Sequence, residues 1–307
     1  MSRRLRLEEE RAKAVKEEEI FEDPLKIQLK RIFSPLVWKE TSYGIRIQDL
    51  KEDQHEEVVN MFKDHFLEND VLCKNTELLN DEESLACYLR RIRFQIRDSS
   101  SIIAVDLNYV HDDEDLQDES EAKLKIVGVL ILKVMRKNEF NRVFSQVQLI
   151  EGEAMKKCVA FRSHINRRVD IHEKCNCDVY LRYYELCVLP QYRHQSLGYL
   201  LMMCGVRVAR SYNIPVVAGL FPTLSMQTVA KRLGMETIYE VSYCAWRDRE
   251  GELIFDDPGA GNYTCAVMAG PVPPPPSLGI VPSDSQMKLT RPKTRAEKQM
   301  LRAKAKN

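Results

Sequence analysis

In the stretch ELCVLPQYRHQSLGYLLM, residues 185–202, an apolar strand-like run meets Pro190. A polar turn with Arg193, Ser196 and Gly198 follows, and then an almost unbroken apolar helix with no acidic residue at its start. The first N–H groups of a helix have no intrahelical partner, and the helix dipole adds about half a positive charge there. Such a turn is suited to hold an anion. Glu185 is the second chemical feature. A carboxylate in an apolar strand is costly unless it is paired or put to work. Arg182 and the neighbouring tyrosines are at hand to pair it, so a structural and a catalytic role both stand. The third feature is Cys158, His172, Cys175 and Cys177. Paired zinc cysteines are usually separated by roughly two to four residues. Cys175 and Cys177 stand closer, and no second pair follows, so no metal is expected.

The elements around these residues follow from periodicity. GIRIQDL (44–50) alternates as a short strand. KEDQHEEVVNMFKDHFL places Val58, Val59, Phe62 and Phe66 at helical spacing. NDEESLACYLRRIRFQIRD predicts a helix with Asn80 as N-cap and Glu83 completing a capping box. SIIAVDL (101–107) and KIVGVLILKVM (125–135) read as a strand pair joined by an acidic, solvated connection. Residues 144–174 read as mostly helical with a break near Gly152. DVYLRYYELCVL (178–189) is the strand before the turn, and the helix after it ends near Tyr212 and Asn213. IPVVAGLF (214–221) is a buried strand and SMQTVAKRLGM (225–235) a helix with Gly234 at its C-terminus. TIYEVSYCAW (237–246) and NYTCAVMA (262–269) are strands. The order is that of an α/β protein with one core over 44–270. A charged arm (1–43) precedes it, and a proline-rich, then basic tail (271–307) follows.

The 307 residues carry no formal net charge, so bulk electrostatics favour neither nucleic acid nor a membrane surface as partner. The charge is uneven, however. HDDEDLQDESE (111–121) holds seven acidic residues, and the tail after Gln286 holds eight basic residues against one glutamate. Nine cysteines, a charged N-terminus and no apolar run of membrane-spanning length point to a reducing cytoplasm. The basic tail leaves a nuclear location open. Nothing specifies an oligomeric state.

With the turn RHQSLG, the preceding VLPQYR and the later AKRLGM on the page, the chain resembles the GNAT superfamily of acyl-CoA-dependent N-acyltransferases. Within it, GIRIQDLKEDQHEEVVNMFKDHFLENDVL and DVYLRYYELCVLPQYRHQSLG resemble the insect arylalkylamine N-acetyltransferase-like group. The resemblance covers about 44–270. It implies the GNAT fold, a mixed central sheet flanked by helices, with acetyl-CoA as co-substrate and no metal. The turn Arg193, His194, Gln195, Ser196, Leu197, Gly198 and Tyr199 would hold the pyrophosphate. Cys187 and Val188 would line the splay between the family's fourth and fifth strands, where pantetheine pairs with backbone. Ser196 stands where the family usually has glycine. It is small, and its hydroxyl can donate to phosphate.

The resemblance also implies a reaction, acetyl transfer to a small arylalkylamine. The family's base is usually a glutamate in an Asp-Glu-Pro-Leu stretch. Here that place reads ENDVL, with Asp70 at the glutamate's position, Val71 at the proline's, and Glu68 close by. Glu185 is a further candidate. Thr223 and Ser225 fall where the family protonates the departing thiolate, and Ser225 is equally placed to cap a helix. Leu224 and Met226 partly replace the family's serine-rich stretch. The alternative is a diverged GNAT-fold binding module that acts through its acidic loop and basic tail.

Overall fold

A computed structural model provides the fold and describes residues 35–97, 100–109, 124–137, 150–248 and 250–274. Residues 1–34 of the N-terminal arm, the acidic segment 111–121 and the basic tail lie outside these residues, whereas 35–43 of the arm lie within them and contribute a strand to the sheet, so the core begins before residue 44. The described residues through Pro273 belong to one compact unit.

Eight strands form one sheet. They are β1 Val37–Glu40, β2 Ile45–Asp49, β3 Ile102–Asp106, β4 Lys125–Arg136, β5 Val179–Val188, β6 Val216–Phe221, β7 Glu236–Ser242 and β8 Thr264–Pro271. Their spatial order is β1-β2-β3-β4-β5-β6-β8-β7. Every neighbouring pair is antiparallel except β5 and β6. The strand pair β3–β4 is the one expected from SIIAVDL and KIVGVLILKVM. β1 is a strand that the sequence pattern misses, because VWKE has no apolar alternation. It is held through Asp49, whose carboxylate accepts from Leu36 N at 2.9 Å and Trp38 Nε1 at 2.8 Å.

The helices are α1 His55–Met61, α2 Val71–Asn75, α3 Glu82–Ile96, α4 Glu153–Arg167, α5 Ile171–Lys174, α6 Leu197–Ser211 and α7 Leu224–Arg232. A π-helical turn, Phe62–Phe66, extends α1. α6 packs against β4 and β5, while α3 packs on α1 and α4. Central β4 is buried from Ile126 to Leu132, because helices cover both of its faces. Gly205 makes the α6 contact: a Cβ there would stand 2.6 Å from Tyr183 Oη, which instead donates to Met202 O at 2.8 Å.

The start of α3 corrects the capping assignment. Asn80 ends a 3-10 turn, and the cap is Asp81, whose carboxylate accepts from Ser84 N at 3.1 Å and Ser84 Oγ at 2.7 Å. Asp81 also accepts from Ala154 N at 3.2 Å, which ties α3 to the start of α4. Both residues are good caps by type. The extended backbone at position 81 decides between them. The break expected near Gly152 is the N-cap of α4, at φ +79, where a Cβ would run into the Ser84 backbone.

Candidate active site

β5 pairs with β4 as far as Val188, but with β6 only through Leu181, Arg182 and Tyr183, opposite Val217, Ala218 and Gly219. Both strands continue beyond Tyr183 without pairing to each other. A gap therefore opens beside Tyr184–Cys187, lined by Glu185, Leu186, Met202, Phe221 and Met226. Backbone polar groups along such a gap need partners, and an extended ligand can supply them. Cys187 is buried there, and burial pushes its thiol up to about 12. Val188 O is taken by Arg193 Nε at 3.0 Å.

The turn after β5 begins as a 3-10 turn, Pro190–Tyr192, and is anchored by Tyr192 Oη donating to Asp106 Oδ2 at 2.6 Å. Arg193 also donates from Nη2 to His65 O at 3.3 Å. Its guanidinium thus joins the turn to β5 and to the end of α1. His194 and Ser196 both hold positive φ, 63° and 62°. Gln195 is exposed and donates from its side chain to Gln191 O. The first intrahelical bond of α6 runs from Leu200 N to Ser196 O at 3.0 Å. The N–H groups of Leu197, Gly198 and Tyr199 are therefore the orphan donors of the helix start. There is no acidic residue in this first turn and no side-chain cap. Leu197 is buried, while Gly198 and Tyr199 are half-buried.

The carboxylates divide. A register shift in the β4–β5 ladder places Ile131 opposite Glu185 and Leu132 opposite Tyr183, so Tyr184 is an extra residue. The bulge turns Glu185 toward α4, where its Oε1 accepts from Arg162 Nη1 at 2.5 Å. Only 8% of the Glu185 side chain is exposed. Burial raises its pKa above the usual carboxylate value, with Arg162 pulling the other way. The neighbours that the sequence offered it are engaged elsewhere. Arg182 donates to Asn166 Oδ1 at 3.0 Å and lies over the Tyr184 ring. Arg162 comes from a helix rich in cations, and nothing in the sequence singles it out.

Asp70 is buried and caps α2, accepting at Oδ1 from Leu72 N at 3.1 Å and Cys73 N at 3.0 Å. Its charge reaches Arg162, Glu185 and Tyr88. The fold thus brings Asp70 and Glu185 around one guanidinium. Glu68 stays on the surface outside this group.

At the other side of the gap, Thr223 caps α7, with Oγ1 accepting from Met226 N at 3.3 Å and 3.1 Å from Ser225 Oγ. Ser225 is exposed inside the first turn, so the cap is Thr223 and not Ser225. In the cysteine group, His172 Nδ1–H donates to Cys177 O at 2.9 Å, and burial pushes the Cys177 thiol up to about 11. Among the described residues no group of three or more His, Cys, Asp or Glu is placed to hold a metal ion. No helix among them is long and apolar enough to cross a membrane.

No family model and no curated protein matches this sequence. Solved structures do match the fold. Arylalkylamine N-acetyltransferase 2 from Aedes aegypti aligns with TM-score 0.63 at 18% identity, over 75% of this chain and 99% of its own. A putative arylalkylamine N-acetyltransferase 7 from the same mosquito aligns with TM-score 0.62 at 20% identity, over 78% and 96%. Polyamine N-acetyltransferase of Drosophila melanogaster aligns with TM-score 0.58 at 16% identity, over 73% and 98%. With its mixed sheet, the gap between β5 and β6 and the helix start that follows, the chain has the α/β fold of the GNAT acetyltransferases.

Proposed function

We propose that the protein is an acetyl-CoA-dependent N-acetyltransferase acting on a small amine. The observation that carries this reading is the position of Glu185. It is the carboxylate that lines the gap between β5 and β6, and burial shifts it toward the range where a base works near neutral pH. The solved structures of this fold, named as acetyltransferases of arylalkylamines and a polyamine, support the reading.

The residues present fit an extended, phosphorylated acyl carrier. Three orphan N–H groups at Leu197, Gly198 and Tyr199 suit its diphosphate, with no acidic residue in that first helical turn to oppose it. The unpaired edge of β5 at Tyr184–Cys187 suits its amide arm. Bound there, acetyl-CoA supplies the activated acyl group.

The chain's residues then have three tasks. Glu185 accepts the proton that the amine must lose before it attacks. Arg162 fixes the carboxylate beside the gap. The Thr223–Ser225 hydroxyl pair, next to Met226 at the gap, supplies a proton to the departing thiolate. Asp70 holds α2 in place and sets the field at Arg162. Arg193 positions the turn through backbone contacts.

The test is calorimetry with acetyl-CoA, followed by turnover with a panel of amines. Binding in the micromolar range, with turnover that Glu185→Gln removes, is the expected result. Acetyl-CoA binding without turnover of any amine overturns the enzyme reading and favours a binding module.

A further inference from the structure

Two thiols meet where α2 packs on α4. Cys73 of α2 and Cys158 of α4 are 2% and 4% exposed, and both are free. Cys158 Sγ lies against the first turn of α2, donating to Leu72 O at 3.5 Å and standing 3.2 Å from Thr76 Oγ1. Leu72 directly precedes Cys73, and Thr76 Oγ1 is 3.3 Å from Cys73 O. The Cys73 thiol completes the contact by donating toward Cys158 Sγ.

The two thiols are not equivalent. The Cys73 donor, Thr76 and the charge of Arg162 hold Cys158 below the ordinary thiol pKa, against its burial. The same bond, with burial, pushes Cys73 well above it. Burial likewise pushes up Cys175, Cys177, Cys187, Cys204 and Cys265. Thiolate character makes a cysteine the one that is oxidised, and a second thiol beside it resolves the product. Both sulfurs border a cavity with room for about one water, together with the partly exposed Arg91, Gln95 and Val159. A space of that size suits hydrogen peroxide and excludes a bulky disulfide such as oxidised glutathione.

Each cysteine is also one helical turn from the charged group around Glu185. Cys73 N donates to Asp70 Oδ1 at 3.0 Å. Arg162 follows Cys158 by four residues, on the same face of α4, and donates to Glu185 Oε1. A disulfide holds its sulfurs about 2.05 Å apart, closer than two thiols in contact, so forming one draws α2 against α4.

We infer that Cys73 and Cys158 form a redox switch: hydrogen peroxide joins them in a disulfide, which shifts α2 and α4 and takes Arg162 and Glu185 out of their working arrangement. The Cys158 thiolate attacks one peroxide oxygen and the O–O bond breaks. The other oxygen leaves as hydroxide and takes up the proton that Cys158 gave, forming water. The Cys73 sulfur then attacks Sγ of the sulfenic acid and loses its own proton, and the hydroxyl leaves as a second water. The two thiols lose two electrons and peroxide gains them. A reducing thiol reverses the step. The loss of turnover rests on the transferase reading given above; the disulfide itself does not.

The test treats the full-length Cys244→Ser protein, which lacks the exposed cysteine, with hydrogen peroxide. Peptide mapping without reductant should show Cys73 joined to Cys158, with two hydrogens lost, and dithiothreitol should reverse it. Amine turnover should fall about 10- to 100-fold on oxidation, as a small misplacement of reacting groups costs, and return on reduction. Acetyl-CoA affinity should hold. Hydrogen exchange over 70–77 and 153–167 should change, while that of α6 should not; this reads the switch even if no amine is acetylated. Cys73→Ser keeps a donor toward Cys158 and should stop the reaction at a sulfenic acid that dimedone traps on Cys158. Oxidation that leaves Cys73 and Cys158 unjoined overturns the proposal. So does a disulfide between them that leaves the exchange of α2 and α4 unchanged, or one that leaves the turnover of an active enzyme unchanged.

Discussion

Tyr183 and Glu185 stand two residues apart on one strand and face opposite sides of the sheet. Tyr183 Oη donates to Met202 O of α6, whereas Glu185 takes Arg162 of α4. In an unbroken strand residues two apart share a face. The extra residue Tyr184 breaks that rule and re-aims the carboxylate, as bulges near active sites commonly do. The proposed mechanism depends on this turn of the backbone, since it sets Glu185 against Arg162 at the edge of the gap.

The base is tested by Glu185→Gln and Asp70→Asn in parallel. Glu185→Gln is expected to lower kcat about 10²–10⁴-fold, with acetyl-CoA affinity retained. The working form of Glu185 is ionised and its pKa is raised by burial, so kcat/KM should fall as pH drops through a value above the ordinary 4.5. That acid limb should vanish in Glu185→Gln. Asparagine caps helices nearly as well as aspartate, so Asp70→Asn should fold and keep most of its activity. If Asp70→Asn kills turnover while Glu185→Gln does not, the base is Asp70.

Arg162→Ala leaves the Glu185 carboxylate buried without its partner. Breaking a buried pair in this way costs about 3–5 kcal/mol, read from urea unfolding. The double variant Arg162→Met with Glu185→Leu should regain most of that loss, because neither charge then needs a partner. A single Arg162→Ala variant as stable as wild type would show that the pair is solvated.

The turn is tested at Ser196 and Gly198. Ser196 sits at φ +62, where an L-residue is strained by about 1–2 kcal/mol. Ser196→Gly relieves the strain at some cost in unfolded-state entropy, so Tm should stay level or rise modestly while acetyl-CoA affinity holds or improves. A Cβ at Gly198 would lie 3.5 Å from Leu186 Cδ2, an ordinary contact, so Gly198→Ala should fold normally. Gly198→Leu extends toward Leu186 and the gap, and should weaken acetyl-CoA at least tenfold. An unchanged Kd removes this turn from the site.

Asp81 links stability to pH. Its hydrogen bonds to Ser84 and Ala154 lower its pKa from 3.8 to about 2. A depressed carboxylate stabilises the fold above its unfolded pKa, and the contribution fades as pH falls from 3.8 toward about 2. Asp81→Ala should lower Tm at pH 7 and flatten the acid limb of a Tm-against-pH curve between those values. Parallel curves for both proteins would contradict the assignment.

Local chemistry made much of this chain legible. Apolar alternation marks β2, apolar and β-branched runs mark β3 to β8, helical spacing marks α1 and α3, and the resemblance of RHQSLG to the GNAT turn led to the fold that the structure shows. Those features are local, because period, turn residues and orphan N–H groups depend on neighbours in the chain. The identity of β1 was not local: VWKE becomes a strand only because Asp49, on β2, holds Leu36 and Trp38. Nor was the choice between Asn80 and Asp81, which backbone angle decided. The site shows the limit most clearly. Glu185 stood out by its type in an apolar strand, yet its partner was not the nearby Arg182. Arg162 reaches it from another helix, and a one-residue bulge selects the face it meets. Pairing across the sheet and the convergence of α2, α3 and α4 set those relations, and residue order along the chain carries no separate mark of them.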